Sequence, residues 1–355
     1  IFFGIVKAGA IAVPLDHQYR LDELYALINA CLPVMLVSES PCLDPFIPFL
    51  SGFESIKHVI NLSSPTDGQF QSYQQIIELG SAQRVRAEPE SDDIAVILYT
   101  SGPSFLPRGV MLSHGNMVKE AAALGDGFQQ TDKDVVMLYA LPMYHVFGLV
   151  AVLLASVSKG SSVVIVPGTG LSISTCMASI EREQGTMFFA VPYIFALAVD
   201  MAEKEGIKSD LSSLRLCSSS ADFLPAGLVK RFKELYGFKI LDCFALTEAI
   251  CHVTCPSLNG GGKAGSVGKA LPGWEVRIVD ASDREVTAMQ AGEITLRGPF
   301  MSGYYNNQTY SNTDYCQTNS TILAEYYCSG NHAYNQQYNC NTGNTTTTCS
   351  NGACV

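Results

Sequence analysis

Two packed α/β subdomains with mostly parallel sheets, followed by the opening strands of a small β-barrel, are the architecture this sequence predicts. Two observations carry that reading. From residue 1 to 256, apolar stretches at helical spacing alternate with short β-branched runs, the mark of a parallel sheet covered by helices. After a glycine run at 259–262, residues 275–279 and 293–296 alternate instead as short antiparallel strands around an Ala-Ser-Asp turn, the start of a barrel.

Within the first block, helical text at 2–8, 21–28 and 46–53 is followed each time by extended text, at 11–14, 34–37 and 58–62. The abrupt apolar opening predicts that a natural segment precedes residue 1. A polar link at 81–93 leads to an apolar strand at 94–99, and 110–113 reads as a second strand returning from it. In the second block, 135–141, 162–166, 187–190, 214–218 and 239–244 read as strands, and 173–184, 192–205 and 225–236 as helices. Pro192 and Pro225 suit first-turn positions, where a missing N–H is no loss. The expected modules are therefore 1–133, 134–258 and a partial barrel at 259–308.

Residues 309–355 differ in composition: Asn and Thr dominate, neither Lys nor Arg occurs, and the apolar run at 321–324 is too short to found a core. Cys316, Cys328, Cys340, Cys349 and Cys354, with sequons at Asn319 and Asn344, suit a secreted disulfide module. The odd number of thiols argues for the other explanation, a break of reading frame or assembly near residue 308, which resequencing tests.

A chain of 355 residues has room for two or three domains with cores of their own. The net charge of −11 argues against DNA or RNA as a partner, because that binding needs a clustered Lys/Arg surface, but it leaves room for a small anion in one local cationic pocket. The longest apolar run, 146–157, falls short of the roughly 20 residues that cross a bilayer, and no charged leader with a cleavage site precedes it. A cytoplasmic location is expected, with peripheral membrane contact left open and oligomeric state not readable. Cys31, Cys42, Cys176, Cys217, Cys243, Cys251 and Cys255 lie in apolar surroundings and read as reduced core thiols. Cys251-His252 with Cys255 has some of the spacing of a zinc site but lacks a second pair of ligands.

The most informative stretch is Tyr99-Thr-Ser-Gly-Pro-Ser-Phe-Leu-Pro-Arg108-Gly109, an apolar strand emptying into a hydroxyl- and glycine-bearing loop. Backbone N–H groups at Ser101, Gly102 and Ser104, hydroxyls at Thr100 and Ser101, and the cation at Arg108 suit an anion that is costly to desolvate unpaired. A Walker A loop is excluded, because the Gly-Lys-Ser/Thr ending that opens a helix is missing. The segment reads as a hairpin-like flap.

That loop resembles the phosphate-binding signature of the adenylate-forming (AMP-binding) enzymes, the superfamily of acyl-CoA and aryl-CoA synthetases, luciferases and peptide-synthetase adenylation domains, usually Thr-Ser-Gly-Thr-Thr-Gly-x-Pro-Lys-Gly. Three further resemblances follow in the family's order. Leu141-Pro-Met-Tyr-His145-Val-Phe147-Gly148 is similar to its acyl-pocket motif, and Phe244-Ala245-Leu-Thr247-Glu248 to its Tyr-Gly-x-Thr-Glu motif. Gly265-Ser-Val-Gly-Lys-Ala-Leu-Pro-Gly273, Gly292-Glu-Ile-Thr-Leu-Arg-Gly-Pro299 and Gly303-Tyr-Tyr-Asn306 resemble the stretch entering its barrel. The resemblance, which covers residues 1 to 306, implies the N-terminal domain of an acyl-CoA synthetase, incomplete at both ends and without the C-terminal domain. The reaction it implies is the ATP-dependent activation of a carboxylic acid, a fatty acid by preference, as an acyl-AMP, followed by transfer to CoA.

Site roles also come from the resemblance. Thr100, Ser101, Gly102, Ser104, Arg108 and Gly109 are expected around phosphate. Ser219, Ser220 and Ala221, with Asp242, Cys243, Phe244 and Ala245, are expected around adenine, where Phe244 keeps a stacking face in place of the family's Tyr. Thr247 faces phosphate, Glu248 holds Mg2+, His145 lies beside the acyl carbonyl and Phe147 lines the acyl pocket. Taken without the motif, Glu248 reads as a first-turn carboxylate, His145 and Phe147 as core residues, and 219–221 as an ordinary strand-to-helix loop.

The departures point toward weak chemistry. Pro103 and Phe105 replace residues that supply a hydroxyl, an N–H and freedom to take positive φ. The last lysine is Lys269, so the family's C-terminal catalytic lysine has no counterpart, and its Thr-Gly-Asp motif has none either. Loss of one charge-stabilising donor typically slows a reaction on the order of a hundred- to a thousand-fold. The alternatives are a noncatalytic nucleotide-binding remnant and an adenylation domain of another branch of the family.

Overall fold

The computed structural model describes residues 1–63, 70–80, 87–100, 107–166, 172–206, 209–259, 265–306, 321–326, 349–350 and 353–354. A five-stranded all-parallel sheet lies at its centre, in the spatial order Ile240–Asp242, Leu216–Ser219, Met187–Ala190, Val135–Leu138, Ser162–Ile165. Its strands are apolar on both sides, and the pleat sends successive side chains into two different cores. Val136, Leu138, Met187, Phe189 and Leu216 face one core, built with Val146 to Val152 and the 249–255 segment. Met137, Phe188, Ala190, Cys217 and Ile240 face the other, covered by the helices Ile173–Glu183, Pro192–Glu205 and Ala226–Tyr236. In that second core the rings of Phe188, Phe195, Phe232 and Tyr236 form a chain of contacts with centroids 4.9 to 5.4 Å apart.

The first block repeats the theme on a smaller scale. Met35–Ser38, His58–Asn61 and Gln71–Ser72 pair in parallel, beside a core of Ile28, Phe46 and Phe53. A third sheet carries the candidate loop. Ile94–Thr100 pairs antiparallel with Arg108–Ser113, which on its other edge pairs with Gly303–Tyr304. The flap read from the sequence is thus a genuine antiparallel pair, in register from Thr100↔Arg108 to Val96↔Leu112, with an irregularity before Ile94↔Ser113.

Ser113 caps the next helix, His114–Gly127, by accepting from the backbone N–H of Asn116. This helix is pinned to the barrel segment by two long-range bonds: Asn116 Nδ2 donates to the Phe300 carbonyl, and Trp274 Nε1 donates to Glu120 Oε2 at 2.9 Å. Another anchor joins the blocks at the foot of the central sheet, where Arg215 grips Asp134 through Nε and Nη2, each at 2.7 Å, and also donates to the carbonyls of Phe128 and Gln129. Burial raises the Asp134 carboxyl, but the bonds from Arg215, Thr186 and Thr131 outweigh it and bring the pKa to about 2.

Three details depart from the sequence reading. The apolar run at 146–157 is a continuous helix whose first part, Phe147–Leu154, is wound as a π-helix. Pro225 is the extended residue before its helix, with ψ at 130°, so the helix starts at Ala226. Residues Thr321–Tyr326 form a strand paired to Glu293–Arg297, where the sequence reading assigns no element. Glu275–Val279 and Glu293–Arg297 pair antiparallel as expected.

Candidate functional site

Three elements meet at one end of the Ile94–Thr100/Arg108–Ser113 pair. The first is the pair itself. Ser101, Gly102 and Ser104, the centre of the loop, lie outside the described residues, as does the glycine break at 260–262. Thr100 and Arg108 face each other across the last rung before the loop. Thr100 Oγ1 is buried with no hydrogen-bond partner among the described residues. Gly109 is there for space: a Cβ would sit 2.9 Å from Ile97 Cγ2 and 3.2 Å from Tyr305 Cβ.

The second element is the turn bearing Thr247 and Glu248. An antiparallel ribbon closes it, with Val253 N–H donating to Phe244, Leu246 N–H to Cys251, and Ile250 N–H to Thr247. Ile250 holds φ at 66° inside the turn, an uncommon state for a β-branched residue. No helix begins at Glu248, so it is not a first-turn carboxylate. Its side chain is 4 % exposed, and Oε1 accepts from Tyr304 Oη at 2.8 Å.

The third element is the segment 300–305. Met301 N–H donates to the Glu248 carbonyl at 2.9 Å, Ser302 N–H to Met111, and Tyr305 N–H to Gly109. The Arg108 guanidinium carbon lies 5.3 Å from the centre of the Tyr304 ring. Sequence reading had assigned Gly303-Tyr-Tyr-Asn306 to the barrel entrance and missed Tyr304. The structure makes Gly303–Tyr304 the strand that ties Glu248 to Arg108.

The residues expected around adenine cluster at the end of the central sheet. Asp242 lies beside Ser219 in the parallel register, and Cys243 N–H donates to the Ser219 carbonyl at 2.9 Å. Ser220 Oγ returns a bond to the Cys243 carbonyl at 2.8 Å, which joins the two predicted stretches directly. Ser219 Oγ is buried without a partner among the described residues. Ala221 sits at φ 75°, Phe244 is half-buried, and Ala245 bridges to His252. Burial pushes the Asp242 carboxyl up to about 7. It lines a small cleft together with Leu224, Val229, Lys239, Pro256 and Ser266.

His145 and Phe147 come together on the turn into the π-helix, where Phe147 N–H donates to His145 Nδ1 at 3.2 Å. Gly148 is required there, because a Cβ would meet the Pro142 carbonyl oxygen at 2.4 Å. His145 is exposed, and desolvation by the surrounding protein lowers its pKa. Phe147 is 3 % exposed, with its ring 5.0 Å from that of His252, which stands edge-on to it. His252 was read from the sequence only as a zinc alternative. In the structure it is fully buried, contacts Cys251 Sγ through Nδ1 at 3.2 Å, and leaves Nε2 without a partner among the described residues. Burial and the neighbouring His145 push its pKa down to about 3. Among the described residues no cluster of three His, Cys, Asp or Glu side chains can hold a metal ion, and no helix is long and apolar enough to cross a membrane.

Known proteins resemble most of this chain. A family model described as "AMP-binding enzyme" matches residues 1–305. A probable CoA ligase of Humulus lupulus is 27% identical over 321 residues, covering 86% of this chain and 58% of its own length. The benzoate–CoA ligase of Thauera aromatica is 25% identical over 332 residues, 93% of this chain and 60% of its own. Among solved structures, the anthranilate CoA ligase AuaEII in complex with anthranoyl-AMP superposes with a TM-score of 0.81 at 26% identity, over 91% of this chain and 61% of that one.

Proposed function

Since the chain belongs to the AMP-binding enzyme family, we propose that it is the larger part of an acid–CoA ligase, which activates a carboxylic acid as its acyl-adenylate and passes the acyl group to CoA. The chain spans about three-fifths of the length of the relatives it resembles, so the whole activity is a property of the longer protein. The observation that carries the reading is the convergence of the Thr100–Arg108 rung, Tyr304 and the Glu248 turn on one end of one sheet. Modules at 1–133, 134–258 and 259–308 are part of the same proposal.

In this reading the loop from Thr100 through Ser101, Gly102 and Ser104 to Arg108 and Gly109 cradles phosphate, and Thr247 faces it. Ser219, Ser220, Ala221, Asp242, Cys243, Phe244 and Ala245 surround adenine. His145 and Phe147 border the acid, whose carboxylate oxygen attacks the α-phosphorus as pyrophosphate leaves. Such chemistry is mostly positioning and charge stabilisation. The Glu248 carboxylate, held by Tyr304 beside the Arg108 strand, offers a hard oxygen ligand that suits Mg2+, an ion that keeps its waters and arrives with substrate phosphates; Glu248 would hold it there, and it would neutralise developing charge.

A fatty acid is the acid expected from the sequence; the relatives named for benzoate and anthranilate put aromatic acids beside it in the test. Calorimetric titration of the chain with ATP tests the nucleotide site: heat with ATP and none with GTP supports it, and no heat with either refutes it. Pyrophosphate exchange by the isolated chain is expected to be weak, because no lysine follows Lys269.

A further inference from the structure

We propose that Tyr304 is the positioning residue of this site: its hydroxyl fixes the orientation of the Glu248 carboxylate, and its ring fixes the height of Arg108 beside it. The inference rests on the nucleotide reading above and gives Tyr304 a task that the reading leaves unassigned.

Glu248 has three rotatable side-chain bonds, and holding its carboxylate in one direction costs side-chain freedom. The 300–305 segment supplies contacts that offset that cost. Met301 N–H holds the Glu248 carbonyl and Tyr304 Oη holds its Oε1, so main chain and side chain are clamped by residues three positions apart. The clamp is itself rigid. Tyr304 pairs with Val110, is 4 % exposed, and has its ring under the Arg108 guanidinium. The distance from the carboxylate to the phosphate strand is therefore set through one side chain.

The chemistry of the clamp matters as well. A phenol donates one hydrogen bond without neutralising the carboxylate, whereas a lysine or arginine in its place would cancel the charge. The ring likewise receives Arg108 on its π face. Tyr304 thus contacts a cation and an anion and itself neutralises neither.

Tyr304→Phe keeps the ring under Arg108 and removes only the hydroxyl. The readout is the gain in ATP affinity on adding magnesium, measured calorimetrically as the ratio of Kd without and with the ion. A Tyr304→Phe chain should lose on the order of tenfold of that gain, the size of one hydrogen bond to a charged group, while magnesium-free affinity stays the same. In a Glu248→Gln background the same change should have no further effect, since coupled residues are not additive. Glu248→Asp, which withdraws the carboxylate from the phenol while keeping its charge, should lose the gain similarly; this variant carries the comparison should Tyr304→Phe not fold. An undiminished magnesium gain in Tyr304→Phe, or in Glu248→Asp where that variant stands in, overturns the assignment and leaves the nucleotide reading standing. So does a loss that persists in full in the Glu248→Gln background. Failure of the unmodified chain to bind ATP at all overturns both.

Discussion

Glu120 lies fully buried on the helix His114–Gly127, with Oε2 accepting from Trp274 Nε1 at 2.9 Å and Oε1 without a partner among the described residues. Burial raises its pKa from 4.5 to about 8, against the opposing pull of the indole N–H. Between those values the folded chain keeps a proton that the unfolded chain has released, so stability falls as pH rises, by about 1.4 kcal/mol per pH unit. The loss attributable to this one group is on the order of 3 kcal/mol at neutral pH and on the order of 5 kcal/mol above its folded pKa. Glu120→Gln keeps the acceptor for Trp274 and removes the titration. Any fixed penalty from the amide is independent of pH, and so are the contributions of all groups common to both chains. The difference in urea-unfolding free energy between variant and parent should therefore shift in favour of the variant by about 4 kcal/mol from about pH 5 to about pH 8.5. A difference that stays flat across that range refutes the assignment of a protonated acid to this position.

Three further outcomes are expected. Ala221→Gly should raise stability by about 1 kcal/mol in chemical denaturation, because alanine at φ 75° carries a strain that glycine does not; a loss would refute it. His252, neutral in the fold with a pKa of about 3, withholds a proton that the unfolded imidazole takes up below about 6.5; stability is thus lost as pH falls through that window, about 2 kcal/mol by pH 5, and His252→Phe should flatten the acid limb of a thermal-melt series. Gly148→Ala should cost about 1 to 3 kcal/mol in urea unfolding, since the new methyl meets the Pro142 and Leu141 carbonyl oxygens at 2.4 and 2.8 Å; an unchanged midpoint would show that the 141–148 turn yields freely.

What was readable in the sequence was what period and punctuation encode. The strands of the central sheet are apolar on both faces, and each was located to within three residues, as with 239–244 against the observed Ile240–Asp242. The return strand after the loop was legible from the apolar text at 110–113 that follows Gly109, and it pairs with Ile94–Thr100. The clustering of 219–221 with 242–245 was legible only through the resemblance, and the bonds from Ser220 to Cys243 and from Cys243 to Ser219 supply its physical reason. Tyr304 and His252 were illegible for a shared cause. Neither has a local pattern that separates it from an ordinary core aromatic or a stray metal ligand. Tyr304 reaches Glu248 across 56 positions, and it does so because Gly303–Tyr304 leaves the barrel strands to pair with Arg108–Ser113. No hydrophobic period specifies that choice of partner. It is decided by register and by the close approach that glycine permits at 109, where Tyr305 and the neighbouring strand leave no room for a Cβ. The carboxylate and the cation are therefore brought together by a neutral strand between them, and a search of the sequence for charged motifs passes over that strand.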